Sequence, residues 1–238
     1  MRPLIALVAV FALAQSACSF GRSVSPEAFR RAPSFAIVNV NAAERVSYTE
    51  PTITRAPGGG MDMSSTGFDA GPAAGIFPET KAAAVRALSR SHRFRLLPEE
   101  EVLSSAAYAS APPHKGEFFG GAKFVPARGY KLIFDEAVAG RLARATGAGA
   151  AVIVNLHHTY TSAGGGELAG RVTVMVTAID RAGRIIWTDF ATVLSEHTIA
   201  SPSKKVSPAT IQPLLVESTE RGIRAMLQRL DDQLRAWK

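Results

Sequence analysis

The stretch from Arg141 to Val193 constrains the fold more than any other part of the chain. A helix end runs into a turn carrying Gly147 and Gly149, and the continuous apolar run Ala150–Leu156 follows. That run is too short and too β-branched to be a helix of its own, so it reads as a strand buried on both faces. A polar, glycine-rich excursion comes next, with Gly164-Gly165-Gly166 at a hairpin tip. Two β-rich runs, Arg171–Ile179 and Arg184–Val193, then meet across Asp180-Arg181-Ala182-Gly183. Their length, composition and turn are those of a β-hairpin.

The remaining elements arrange themselves around that sheet. Ser34–Val40 alternates as a first strand and Arg93–Leu97 as a short one. Glu79–Ser91 has helical spacing of Ala83, Ala87 and Leu88, with Lys and Arg on its other faces. Pro98 followed by Glu99, Glu100 and Glu101 is helix-start chemistry, because carboxylates suit the positive end of the macrodipole. Asp135–Thr146 starts on an aspartate cap. From Pro208 to Lys238 a single apolar stripe, Leu214, Leu215, Ile223, Met226, Leu227, Leu230 and Leu234, marks a long docking helix. The fold expected is α/β: a mixed sheet of about five strands, near 35–40, 93–97, 150–157, 170–180 and 184–195, flanked by helices, with a long C-terminal helix. An apolar fraction of 47% suffices to give residues 34–238 one core. Long Gly/Pro/Ser-rich loops are expected at 41–78 and 109–131.

The amino-terminal end reads as a targeting segment. Arg2, the apolar run Leu4–Ala14 and the small residues before Cys18 make residues 1–17 a signal peptide. The run is too short for a bilayer span, which takes roughly 20 residues. Ser16-Ala17-Cys18 resembles the bacterial lipobox, where cleavage leaves an acylated cysteine; Gln15 stands where that motif carries an aliphatic residue. Lipidation of Cys18, the sole cysteine, would make residues 18–33 a palmitate-bearing anchor and tether. Ser19 resembles the outer-membrane sorting class. Ordinary cleavage after Ala14, leaving a soluble periplasmic protein with a free thiol, is the competing reading.

Catalytic chemistry finds little support in the residues. One cysteine excludes a disulfide within the chain and a CxxC site. His157 and His158 are adjacent on a strand and face opposite ways, so they do not share a metal. No HExxH, GxSxG or phosphate loop is present, Gly58-Gly59-Gly60 being followed by no lysine and no helix start. The alternative of a periplasmic hydrolase using His157 or His158 therefore rests on those two rings alone. Net charge is +7, but the densest basic cluster, Arg86, Arg90, His92, Arg93 and Arg95, lacks an aromatic stacking platform. It reads as a solvated face and not as a nucleic-acid site. The 109–131 loop carries Phe118, Phe119, Phe124 and Tyr130, which either close a satellite core or contact a partner.

The order strand, helix, FRLLPEEEVL, helix, ATGAGAAVIVN and a hairpin with AIDRAGRIIW resembles a family of envelope domains. These are the curli-secretion lipoproteins, the penicillin-binding-protein activator lipoproteins and the amino-terminal domain of the Tol translocation protein. The likeness lies in Phe94–Leu97 with Pro98–Leu103, in Arg141–Asn155 and in Ile179–Gly183. It spans roughly Ser34–Trp187, and the long loop at 41–78 departs from it, as does the lack of two amphipathic pore-forming hairpins. The resemblance implies a non-enzymatic outer-membrane lipoprotein that binds an envelope protein or a cell-wall component, with no cofactor and no metal. Homo-oligomerisation is left open.

Overall fold

In the computed structural model, which describes residues 22–55, 61–114 and 123–237 and only the backbone at 51–55 and 61–66, the chain forms one mixed sheet with helices on both faces. The strands are β1 (Ser23–Val24), β2 (Ser34–Ala43), β3 (Arg45–Arg55), β4 (Met61–Pro72), β5 (Arg95–Leu96), β6 (Phe124–Pro126), β7 (Ala150–Gly164), β8 (Glu167–Asp180), β9 (Ile185–Leu194) and β10 (Ile199–Ala200). The helices are α1 (Pro26–Arg30), α2 (Phe77–Ser89), α3 (Glu99–Leu103), α4 (Ala106–Ser110), α5 (Glu136–Ala145) and α6 (Pro208–Ala236). Along the sheet the order is β1-β9-β8-β7-β2-β5. β2 lies parallel to β5 and β7, whereas β7, β8, β9 and β1 are successively antiparallel.

The five strands legible in the sequence are β2, β5, β7, β8 and β9, and the long C-terminal helix is α6. Burial explains their patterns. β2 is buried along nearly its whole length, as is β7 from Ala150 to Val154, because helices cover both faces there. In β8, Val172, Val174, Val176 and Ala178 are buried and the residues between them half exposed, since α6 covers only one face. Asp135 caps α5 by accepting from Val138 N at 2.9 Å. Gly183, at φ 81°, closes the β8–β9 turn with its N–H donating to Asp180 O at 3.0 Å.

Two expectations need correcting. Residues 41–78 are not a loop: β2 runs on to Ala43, and β3 and β4 form a long antiparallel hairpin ahead of α2. Gly67 and Gly71 belong to β4. A Cβ on Gly67 would lie 2.5 Å from Tyr48 O, so the close approach of β4 to β3 requires glycine there. The base of the hairpin is fixed by aromatics, with Tyr48 stacked on Phe68 at 5.0 Å and edge-on to Tyr160 at 5.3 Å. Likewise residues 22–33 are not a free tether. β1 pairs with β9, and Phe29 of α1 inserts among Phe35, Phe94 and Trp187, with centroids 5.3, 6.1 and 6.2 Å away. The leader, residues 18–21, Gly58–Gly60 and the aromatics Phe118 and Phe119 lie outside the described residues.

α6 approaches β8 closely at Gly170. A Cβ there would stand 2.7 Å from Leu214 C and Cβ. Gly170 O also accepts from Ser218 Oγ at 3.0 Å and Gly170 N donates to Ser195 Oγ at 3.0 Å. Gly170→Ala is expected to lower the unfolding free energy by about 1–3 kcal/mol, the usual cost of overpacking. Gly75→Ala, where a Cβ meets nothing within 4 Å, serves as the neutral control. Urea unfolding measures both; equal midpoints would refute the close helix–sheet crossing.

Candidate functional site

The two histidines lie within β7, well before its end, because the strand runs on to Gly164. Successive residues of a strand face opposite ways, and the structure separates the rings accordingly. His157 is exposed opposite Thr173, on the sheet face that α6 leaves uncovered. His158 is completely buried opposite Val172, with its ring centroid 6.5 Å from that of Phe77. Neither of its ring nitrogens has a hydrogen-bond partner among the described residues. Burial, with a smaller contribution from His157, pulls its pKa down to about 3. The sheet thus does not bring the pair to one site. No group of three His, Cys, Asp or Glu side chains that could hold a metal ion occurs among the described residues.

A groove of about 1100 Å³ is the larger feature. It is built because the inner stripe of α2, Ala83, Ala84, Ala87 and Leu88, is buried in the core. The outer side, Pro78, Lys81, Ala82 and Val85, is left as one wall. The segment Val125–Arg128 forms the opposite wall, and Pro72 and Ala74 help close one end. Charges surround this apolar channel, but several are already paired. Lys81 bonds Glu99, Lys123 reaches Glu44 at 3.2 Å, and Arg86 holds Glu220 with its Nε 2.9 Å from Oε1. Sequence reasoning missed this groove, because its walls are brought together only by the β2–β6 pairing and the docking of α2.

The aromatic loop residues fall on two sides of this question. Phe124 is half-buried, and Tyr130 is buried with Lys81 Nζ 5.2 Å from its ring centroid. Burial, and after it the charge of Glu99, holds the Tyr130 phenol well above its ordinary pKa. Burial also pushes Tyr108 up to about 12, and its hydroxyl accepts from Lys131 N at 2.7 Å. Tyr130 is therefore part of the main hydrophobic core. Chemically the groove offers apolar contact flanked by matched charges, which suits recognition of a chain or a ligand body.

His158 generates a pH prediction. Its pKa is depressed in the fold, so between about pH 6.5 and 3 the unfolded chain binds a proton that the folded chain refuses. Stability therefore falls as pH drops through that window, by about 1.4 kcal/mol per unit. His158→Leu is expected to gain roughly 2 kcal/mol on the parent between pH 7.5 and 5. Parallel urea-unfolding profiles for the two chains across that range would refute the buried neutral ring.

No protein-family model matches the chain, and neither does any curated protein. Two solved structures align distantly with the chain. The C-terminal domain of LpoB from Salmonella enterica aligns with a TM-score of 0.33 at 13% identity, over 68% of this chain and 83% of that one. The hypothetical protein CT253 from Chlamydia trachomatis aligns with a TM-score of 0.40 at 14% identity, over 86% of this chain and 99% of that one. These are distant likenesses, and the functional reading rests on this chain's own residues.

Proposed function

We propose that the protein is a lipid-anchored lipoprotein of the bacterial outer membrane, facing the periplasm. It acts as a non-enzymatic binding or assembly module for another envelope protein or a cell-wall component. The observation that carries this reading is the groove between α2 and Val125–Arg128, a channel with apolar walls and an ion-paired rim. Its size exceeds what a small substrate fills, and Lys81, Glu99 and Glu44 neutralise one another or a neighbour in place of presenting a reactive group. The leader-like residues 1–17 and the lipobox-like surroundings of Cys18 support the location.

Two measurements test the two halves. A photoreactive benzophenone amino acid at Val85 is expected to give a discrete protein or glycan adduct in the host envelope. Ala82→Arg, which fills the channel, should cut that adduct about tenfold, the effect of blocking a central contact. An adduct indifferent to Ala82→Arg would remove the groove from the binding site. For location, the parent should incorporate labelled palmitate and resist extraction from membranes by salt, while Cys18→Ser loses the label. A mature amino terminus at Gln15 with an unmodified thiol would overturn the anchor.

A further inference from the structure

One half of the sheet has a bare face. Asn155, His157, Arg171, Thr173, Met175, Thr177, Thr188, Phe190, Thr192 and Leu194 point away from α6, and each is half or fully exposed. Further along the same face α5 covers the sheet, and there Ile153 is only 4% exposed. The bare part is three strands wide, and none of these described side chains is a carboxylate. Leu194 is 47% exposed, one of few large apolar side chains so displayed. Hydroxyls pair across it, with Thr173 and Thr192 Oγ1 atoms 2.9 Å apart. Arg171 makes no ion pair among the described residues.

The amino-terminal end of the domain is fixed at the border of this face. Arg22 lies with its guanidinium carbon 4.6 Å from the Phe190 ring centroid and its Nε 3.2 Å from Asp189 Oδ1. Three residues separate Arg22 from Cys18, so four Cα–Cα steps limit the span between their Cα atoms to at most ~14 Å, whatever path the chain takes. A domain of this size is roughly 40 Å across. An anchor so short holds only the surroundings of Arg22 against the membrane, and those surroundings are the bare face and the β9 edge.

Resting on the anchor reading above, we infer that the bare face of β7, β8 and β9 is the membrane-docking surface, lying on the anionic phospholipid headgroups of the leaflet that carries the anchor. Charge complementarity supports this occupant: Arg171 supplies a cation with no ion-pair partner among the described residues, and Phe190 and Leu194 reach the headgroup–acyl boundary as an aromatic and an aliphatic contact. The groove lies beside β6, which pairs with β2 and is separated from β9 by β8, β7 and β2.

The test places a benzophenone amino acid at Thr192 in one chain and at Ala82 in another. The full chain is expressed in its host with labelled palmitate. Palmitate-labelled protein should form phospholipid adducts from position 192 and none from 82. Arg171→Gln should lower the yield at 192 about fivefold, the effect of removing one cation beside an anionic lipid surface. Labelled protein that gives no lipid adduct at 192, or equal adducts at both positions, overturns the docking surface while leaving the anchor intact. If no palmitate is incorporated, the anchor reading fails separately. The leaderless chain is then coupled through its Cys18 thiol to a maleimide lipid in phosphatidylethanolamine–phosphatidylglycerol vesicles. The same comparison of 192 with 82 decides for or against the surface there, and adducts with a protein in place of lipid at 192 in the host would assign the face to a protein partner instead.

Discussion

The parallel pairing of β2 with β7 is the constraint on which the rest of the structure depends. Its register runs from Phe35↔Ala150 to Ala42↔Leu156, and both strands are almost wholly buried along it. A parallel pair cannot be closed by a tight turn, so a long crossover must leave one end of β2 and return to the other end of the sheet. Everything from β3 to α5 is that crossover. Small residues make the pairing feasible between covering layers: Ala36, Ala42, Ala150 and Ala151 are fully buried. Buried polar groups follow the same lines. Asn39 Nδ2 reaches Ile133 O at 2.9 Å, tying β2 to the segment before α5, and Asn41 bonds Asn155 across the pair at 2.6 Å.

What was legible in the sequence is what local physics decides. The apolar run of β7, the Asp180–Gly183 turn, the Asp135 cap and the stripe of α6 each report a neighbour a few residues away, and each forms as read. The β3–β4 hairpin was not legible because its glycines carry opposite meanings. Gly67 is there for the approach of Tyr48 O, and Gly71, at φ 132°, sits where the register shifts between Val46 and Ser47. In sequence both look like loop composition; in space they are a strand contact and a bulge. The groove was hidden for a related reason, since Lys81, Glu99 and Arg128 converge only after β6 has paired with β2. Of the candidate contact aromatics, Tyr130 is a core residue, a fact that no periodicity in an irregular loop could signal.

The charge of the chain also has a structural use that its total conceals. Asp189, only 5% exposed, draws in Arg229 of α6 at 3.0 Å and Arg22 at 3.2 Å. The same two arginines donate to Phe190 O, at 3.0 and 3.3 Å, and Arg221 donates to Leu194 O at 3.0 Å. Phe190 N turns to Asp189 Oδ1 at 2.7 Å. Beyond the two residues that β1 covers, the β9 edge thus has main-chain groups occupied by side chains. An edge so occupied offers another strand few free donors or acceptors, which protects the chain against edge-to-edge association. Several of the basic residues are therefore bound up in holding α6 and closing an edge.

The arrangement of the sheet gives the two candidate surfaces a fixed relation. β9, where the amino-terminal end is pinned, and β6, beside the groove, are separated by β8, β7 and β2. Neighbouring strands are about 4.8 Å apart, so the sheet sets these borders roughly 20 Å from each other. β1 and α1 convert what composition would make a swivel into a rigid mount, through the insertion of Phe29 against Trp187 and through Arg30, whose Nη2 donates to Leu234 O at 3.0 Å and Trp237 O at 2.8 Å. The first and last elements of the domain are thereby clamped together. With a long tether the sheet would tumble freely and every surface would meet the membrane equally. Under the proposed anchoring of Cys18, the three residues between it and Arg22 would confine rotation, and the same strands that bury the core hold the groove at a fixed distance from that end.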